Sequence, residues 1–241
     1  MGRPLIIAID GPSGAGKSTL GRMLARALNL LYLDTGSMYR AVALAVMESG
    51  MNPNDDVAVG SLAGTAEIDL KGDPDAMEVF LEGRDVTEAI RDEDVTNMSS
   101  IVSTIPAVRR AMVARQREMG QRGAVLNGRD IGTVVFPDAD VKFYLTALPQ
   151  ERAQRRFVEE RAQDPNVDFD ETFVEMIKRD QRDSTREDSP LKIAEDAIVV
   201  DSTGLSINEV FDRMMAAVKE QMRRRGEGEH EDAETRGRGE R

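Results

Sequence analysis

Residues Gly11-Pro12-Ser13-Gly14-Ala15-Gly16-Lys17-Ser18 follow the pattern glycine, any four residues, glycine, lysine, then serine or threonine. Their surroundings constrain the fold further. Leu5-Ile6-Ile7-Ala8-Ile9 reads as a short buried strand, and apolar residues then recur at Leu20, Met23, Leu24, Ala27 and Leu28 on one face of a helix. A strand that enters a glycine-rich turn and leaves through a helix N-terminus presents unpaired backbone N–H groups and the positive end of the helix dipole to an anion. Lys17 adds a full positive charge, and the Ser18 hydroxyl is placed to ligate Mg²⁺. The pattern points to a nucleoside triphosphate held over Gly11 to Thr19.

The alternation continues beyond this unit. Leu31-Tyr32-Leu33 is a second apolar run, and Met38 to Ser49 a helix stopped by Gly50. Further strands are read at Ala124-Val125-Leu126, Val141 to Leu145 and Ala197 to Val200, near-continuously apolar as strands covered on both faces should be. Helical stretches separate them at about 97–120, 150–162, 170–182 and 206–222. Strands alternating with helices predict an α/β fold of three layers, with a central parallel five-stranded sheet between two layers of helices. Ala66 to Val86 breaks the rhythm: period-two apolar residues flank Gly72-Asp73-Pro74-Asp75, which reads as a small antiparallel insert. We expect one unit over residues 1–222 and a charged, disordered tail over 223–241, where Ala233 is the sole aliphatic residue.

Composition excludes several classes. There is no cysteine, and the single histidine, His230, falls in the charged tail. Thiolate chemistry, histidine base catalysis and His-rich metal sites are therefore unavailable to the core. The net charge of −12 and an aromatic content of 4% argue against a protein that grips nucleic acid or an anionic membrane. No signal-peptide arrangement or membrane-length apolar run is read, so a cytoplasmic protein is expected. With no long heptad pattern, a monomer is expected as well.

Against this acidic background, arginine is clustered: Arg109, Arg110, Arg115 and Arg117; Arg152, Arg155 and Arg156; Arg179, Arg182 and Arg186. Many such residues on helices simply form i to i+4 pairs with Glu or Asp. Others keep unusual company. Arg129 and Asp130 directly follow a strand, at the carboxyl end where open parallel sheets bind ligands, and Arg40 follows the second strand at a similar short distance. Guanidinium forks match phosphate oxygens in pairs. Asp10 and Asp34 end strands, where they either cap turns or serve a ligand. Asp130 and Asp183 stand beside arginines and either form ion pairs or accept bonds from an amine or a hydroxyl.

Five stretches, in order, resemble the bacterial cytidylate kinases of the nucleoside monophosphate kinase family: Ile9 to Thr19, Leu33 to Arg40, Gly128 to Pro137, Glu151 to Arg156, and Arg179 to Arg186. The resemblance implies a P-loop kinase with an acceptor-binding insert at about 60–95 and a helical lid at about 150–190. It implies transfer of the ATP γ-phosphoryl to CMP or dCMP, with Mg²⁺ on Ser18. Gly11, Pro12, Ser13, Gly14, Ala15, Gly16, Lys17, Ser18 and Thr19 would cradle the donor phosphates. Thr35, Arg40 and Arg129 would hold the acceptor phosphate; Ser100, Arg109 and Asp130 match positions that read the base; Arg179 and Asp183 match those on the sugar, with Arg186 beside the acceptor. Lys17, Arg129, Arg152 and Arg156 would be catalytic, the last two from the lid.

This chemistry suits the residue inventory. An acceptor phosphate is already anionic near neutral pH, so the task is to align two repelling anions and exclude water, without a strong base. Two rivals remain at this point. One is a kinase for another small acceptor. The other is a nucleotide-dependent switch, which would need a guanine-specifying Asn-Lys-x-Asp stretch that the chain lacks.

Overall fold

The computed structural model describes residues 3–162 and 164–238. Five parallel strands form the central sheet: β1 (Ile6–Asp10), β2 (Leu31–Asp34), β6 (Ala124–Gly128), β7 (Val141–Thr146) and β8 (Ile198–Asp201), in the order β2-β6-β1-β7-β8. β1 lies at the centre and is buried along its whole length. Its alternate residues serve opposite faces, as the two-residue period of a strand requires. Ile7 and Ile9 pack with Leu20 and Leu24 of α1 (Lys17–Leu28) and with Val210, Met214 and Val218 of α8 (Ile207–Arg238). Ile6 and Ala8 pack on the other face with Leu33, Leu126 and Val113. The α/β/α layering expected from the sequence is therefore present.

A second apolar cluster lies beside the sheet. Here α2 (Thr35–Glu48), α3 (Asp56–Thr65), α4 (Glu93–Val102) and α5 (Pro106–Gly120) bury Met38, Val42, Val59, Val102 and Met112 together with Ile68, Val79 and Leu81. The last three belong to an antiparallel sheet of β3 (Ile68–Lys71), β4 (Glu78–Leu81) and β5 (Arg84–Asp85), so the expected hairpin carries a third short strand. α6 (Pro149–Arg161) and α7 (Phe169–Thr185) form a helical pair over the carboxyl end of the sheet.

Three elements differ from the sequence reading. The stretch expected as one helix over 97–120 is two, because Pro106 starts α5 at its first turn, where its missing N–H costs nothing and its ring prevents a continuous helix. α2 begins at Thr35 rather than Met38, since the Asp34 carboxylate accepts the Gly36 N–H and caps the helix there. The expected disordered tail is instead helical through Arg238, with residues 239–241 outside the described part. Where the tail begins, Glu220 accepts from Arg223 and Arg224, one turn away. Among the described residues, no helix is long and apolar enough to cross a membrane.

Candidate active site

The carboxyl ends of β1, β2 and β6 lie abreast. Asp10 is in register with Gly128, and Asp34 with Asn127. From β1 the chain turns through Gly11, Gly14 and Gly16, all with positive φ. Two of these positions exclude any side chain: a Cβ on Gly11 would lie 2.0 Å from the Leu145 carbonyl, and one on Gly14 would lie 2.5 Å from the Arg152 carbonyl. Glycine is thus required both by backbone sign and by the approach of β7 and α6.

Distant groups fix the loop. Ser13 N–H donates to Asp180 Oδ1 at 2.9 Å, and its carbonyl accepts from Arg152 Nη1 at 2.8 Å. Arg152 also bonds Asp180, which closes a small ring of contacts behind the loop. Lys17 Nζ donates to the Pro12 carbonyl at 2.7 Å. Burial, then repulsion from Arg129, holds the Lys17 ammonium well below its ordinary pKa, with Asp180 and Asp183 opposing.

After β6 the chain enters a single π turn, Ile131–Val135. The N–H groups of Ile131 and Gly132 donate to the two oxygens of Asp10, at 2.8 and 2.7 Å. Burial pushes the Asp10 carboxyl up to about 6, against the pull of these two bonds. Asp10 therefore joins the end of the glycine-loop strand to the segment that carries Arg129 and Asp130.

Arg129 and Asp130 each find a partner across the cleft. Arg129 Nε donates to Asp183 Oδ2 at 2.8 Å, and Arg186 Nη1 lies 3.5 Å from the same carboxylate. Burial raises the Asp183 pKa, but Arg129, Arg179 and Arg186 outweigh it and hold the group below its ordinary value. Arg109 Nη2 donates to Asp130 Oδ2 at 2.5 Å, with side-chain exposures of 1% and 6%. Removing one member of so buried a pair leaves an uncompensated charge, at a cost of about 3–5 kcal/mol. On α2, Arg40 Nη2 donates to Ser37 Oγ at 2.9 Å, while its buried Nε has no partner. Thr35 Oγ1 donates to the Asn127 carbonyl at 2.8 Å. Arg179 makes no hydrogen bond or ion pair among the described residues; burial, then Arg129, lowers its pKa to about 10.

One cleft of about 570 Å³ runs from the glycine loop to Arg109 and Asp130. Nine lining side chains are basic and five acidic, so its walls are net positive in a chain of net charge −12. That is the signature of a local anion site. Gly14 to Thr19, Thr35, Arg40, Arg109, Arg129, Asp130, Arg156, Arg179, Asp183 and Arg186 all reach it, as does Ser13.

Gly11, Pro12, Ser100 and Arg152 do not. Arg152, expected on the lid over the phosphates, is turned to the back of the loop. Ser100, expected at the base, faces a neighbouring cavity of about 980 Å³ between α4 and the α6–α7 pair. Its hydroxyl donates to the Asn97 carbonyl and accepts from Arg182 of α7. Sequence reasoning gave no role to Asp180 or Asn127, and it left Asp10 open between turn cap and ligand group. The contacts that define Asp10 and Asp180 span more than a hundred residues, and no local pattern encodes them.

The Ser18 corner suits a hydrated divalent cation. Asn127 Nδ2 donates to Ser18 Oγ at 3.2 Å, while the buried Asn127 Oδ1 has no partner. Leaving such an acceptor unpaired costs about 1–3 kcal/mol. With Asp34 on the adjacent strand, this is an oxygen donor set of low protein count, matching Mg²⁺, which keeps several waters.

A family profile described as cytidylate kinase matches residues 7–220. The chain belongs to the cytidylate kinase family. The cytidylate kinase of Geobacter sulfurreducens is 47% identical over 92% of this chain and 95% of its own length. Those of Syntrophotalea carbinolica and Solibacter usitatus are 48% and 49% identical, over 91% and 89% of this chain and 94% and 92% of theirs. An uncharacterised protein from Eubacterium ventriosum, of known crystal structure, shares the fold at a TM-score of 0.51 and 11% identity, covering 89% of this chain and 98% of that one. Membership makes this chain a phosphotransferase of the nucleoside monophosphate kinase class.

Proposed function

We propose that this chain transfers the γ-phosphoryl group of ATP to CMP or dCMP, giving ADP and CDP or dCDP, and that the cleft residues divide the work as follows. The loop from Gly11 to Thr19 cradles the donor phosphates, and Lys17 offsets charge as the phosphoryl moves. Mg²⁺, seated at Ser18, supplies Lewis-acid charge at the phosphate oxygens. Thr35, Arg40 and Arg129 hold the acceptor phosphate, with Arg186 beside it. Arg109 and Asp130 read the base, as donor to its ring carbonyl and acceptor from its exocyclic amine. Arg179 and Asp183 hold the sugar.

Arg156 closes from the lid onto the cleft, whereas Arg152 acts through the loop by fixing Ser13 and Asp180. Ser100 reaches the base only when the α4 side closes and Arg182 releases its hydroxyl. No general base is required, because the acceptor oxygen is already anionic. The working unit is a monomer in the cytoplasm, and sedimentation of the purified protein tests the first half of that statement.

One observation carries the reading: a glycine-loop cradle and a buried Arg109–Asp130 pair face each other along a single net-positive cleft. Coupled ADP-release assays with ATP, Mg²⁺ and, in parallel, CMP, dCMP, UMP, AMP, GMP or shikimate test it. Turnover with CMP and dCMP alone is the expected result. Turnover with a different acceptor overturns the roles given to Arg109 and Asp130, and no acceptor-dependent turnover overturns the phosphotransfer itself.

A further inference from the structure

Asn127 is the least economical residue in β6. The strand is otherwise apolar and buried at Ala124, Val125 and Leu126, and Asn127 itself is 3% exposed. Its backbone carbonyl is occupied by Thr35 and its amide nitrogen by Ser18. Its Oδ1 is left over, buried and without a partner. Its position is defined on both sides, by Ile9 of β1 and Asp34 of β2 in register, and it reaches the cleft beside Ser18.

Resting on the phosphotransfer reading above, we propose that Asn127 is the uncharged arm of the magnesium seat: its Oδ1 accepts a hydrogen bond from a water of the hydrated Mg²⁺ that enters with the donor nucleotide. Phosphate-loop enzymes commonly place an aspartate in this role, at the end of the strand beside the loop. Here the position holds an amide, which orients a water but adds no charge. Asp34 is then the nearest anionic group in the register of strand ends, and its oxygens are already engaged by Gly36 N–H and Arg40. Two consequences follow. The seat binds free Mg²⁺ weakly and receives it together with the nucleotide, and it tolerates a metal-free polyphosphate better than a seat with a second carboxylate would.

Calorimetric titration of the full chain with ADP, once with saturating Mg²⁺ and once with EDTA, tests this. Asn127→Leu is expected to weaken binding in Mg²⁺ by about tenfold and to leave binding in EDTA unchanged, since outer-sphere partners of a metal are worth about 10–100-fold in affinity. Asn127→Asp is expected to do the reverse, weakening ADP in EDTA by charge repulsion while tightening Mn²⁺, followed by the loss of its free-ion EPR signal. If Asn127→Leu does not fold, as judged by its thermal melt, Asn127→Asp carries the test alone. Parallel weakening in both media, or no change in either variant, overturns the inference and leaves the kinase reading intact. Failure of the wild-type chain to bind ADP in either medium overturns both.

Discussion

Lys17 and Asp10 carry opposite charges under the same constraint, burial at the end of one strand. Lys17 gives up hydration and sits near Arg129 and Arg179, so its ammonium is costly to the free protein, and on the function proposed above that cost is offset when phosphates fill the cleft. Lys17→Met should therefore lower kcat by at least about 100-fold, the scale of losing one preorganised charge donor, while the melting temperature holds or rises. Steady-state kinetics and a thermal melt check both halves. Asp10 has a folded pKa near 6 against an unfolded value of 3.8. Because the folded value is raised, the stability this group contributes is complete below about pH 4 and is lost as pH rises through 6. Relative to Asp10→Asn, whose amide does not titrate, the wild type should lose about 2 kcal/mol between pH 4 and 7, measurable as a narrowing gap in urea midpoints.

Among the elements, the glycine loop depends on neighbours far away in sequence. β7 and α6 approach Gly11 and Gly14 so closely that neither position has room for a side chain. Gly14→Ala forces a side chain into positive φ and against the Arg152 carbonyl, which displaces the start of α6 as well as the loop. We expect a loss of about 1–3 kcal/mol in stability and a rise in the KM for ATP larger than that for CMP, read from initial rates with each substrate varied. The π turn after β6 is a second such device. Its first two N–H groups lack partners in the turn itself and are satisfied by Asp10, which sets the direction in which Arg129 and Asp130 leave the sheet.

For the molecule as a whole, charge is segregated: an acidic exterior surrounds a basic cleft, which concentrates nucleotide anions without making the surface adhesive to nucleic acid. Stability resides elsewhere, in the apolar layers on either side of the sheet. Among the described residues, the buried ones of α8 are Val210, Met214 and Val218, all before Lys219, and beyond Arg224 the sequence has Ala233 as its only aliphatic residue. Truncation after Arg224 should accordingly shift the melting temperature by no more than about 2 °C, the scale of a surface change of about 0.5 kcal/mol in a domain of this size. Turnover in the same preparation should be unchanged.

The sequence by itself determined the parallel sheet, because strands covered on both faces must be continuously apolar, and it determined the phosphate loop, because backbone N–H groups can crowd an anion only where glycines stand at fixed spacing. It also located Arg129 and Asp130 at a strand end. The boundary between α4 and α5 was less legible, since the helical apolar rhythm continues on both sides of Pro106. Tertiary structure alone decided that Arg152 backs the loop rather than facing the cleft, that Ser100 lies in a neighbouring cavity, that Asp10 holds the turn after β6 and Asp180 the glycine loop, and that Asn127 stands beside Ser18. Those assignments rest on contacts such as Ser13 to Asp180, 167 residues apart. A one-dimensional pattern records the period of an element, but which polar groups share a buried space is fixed only when the layers close.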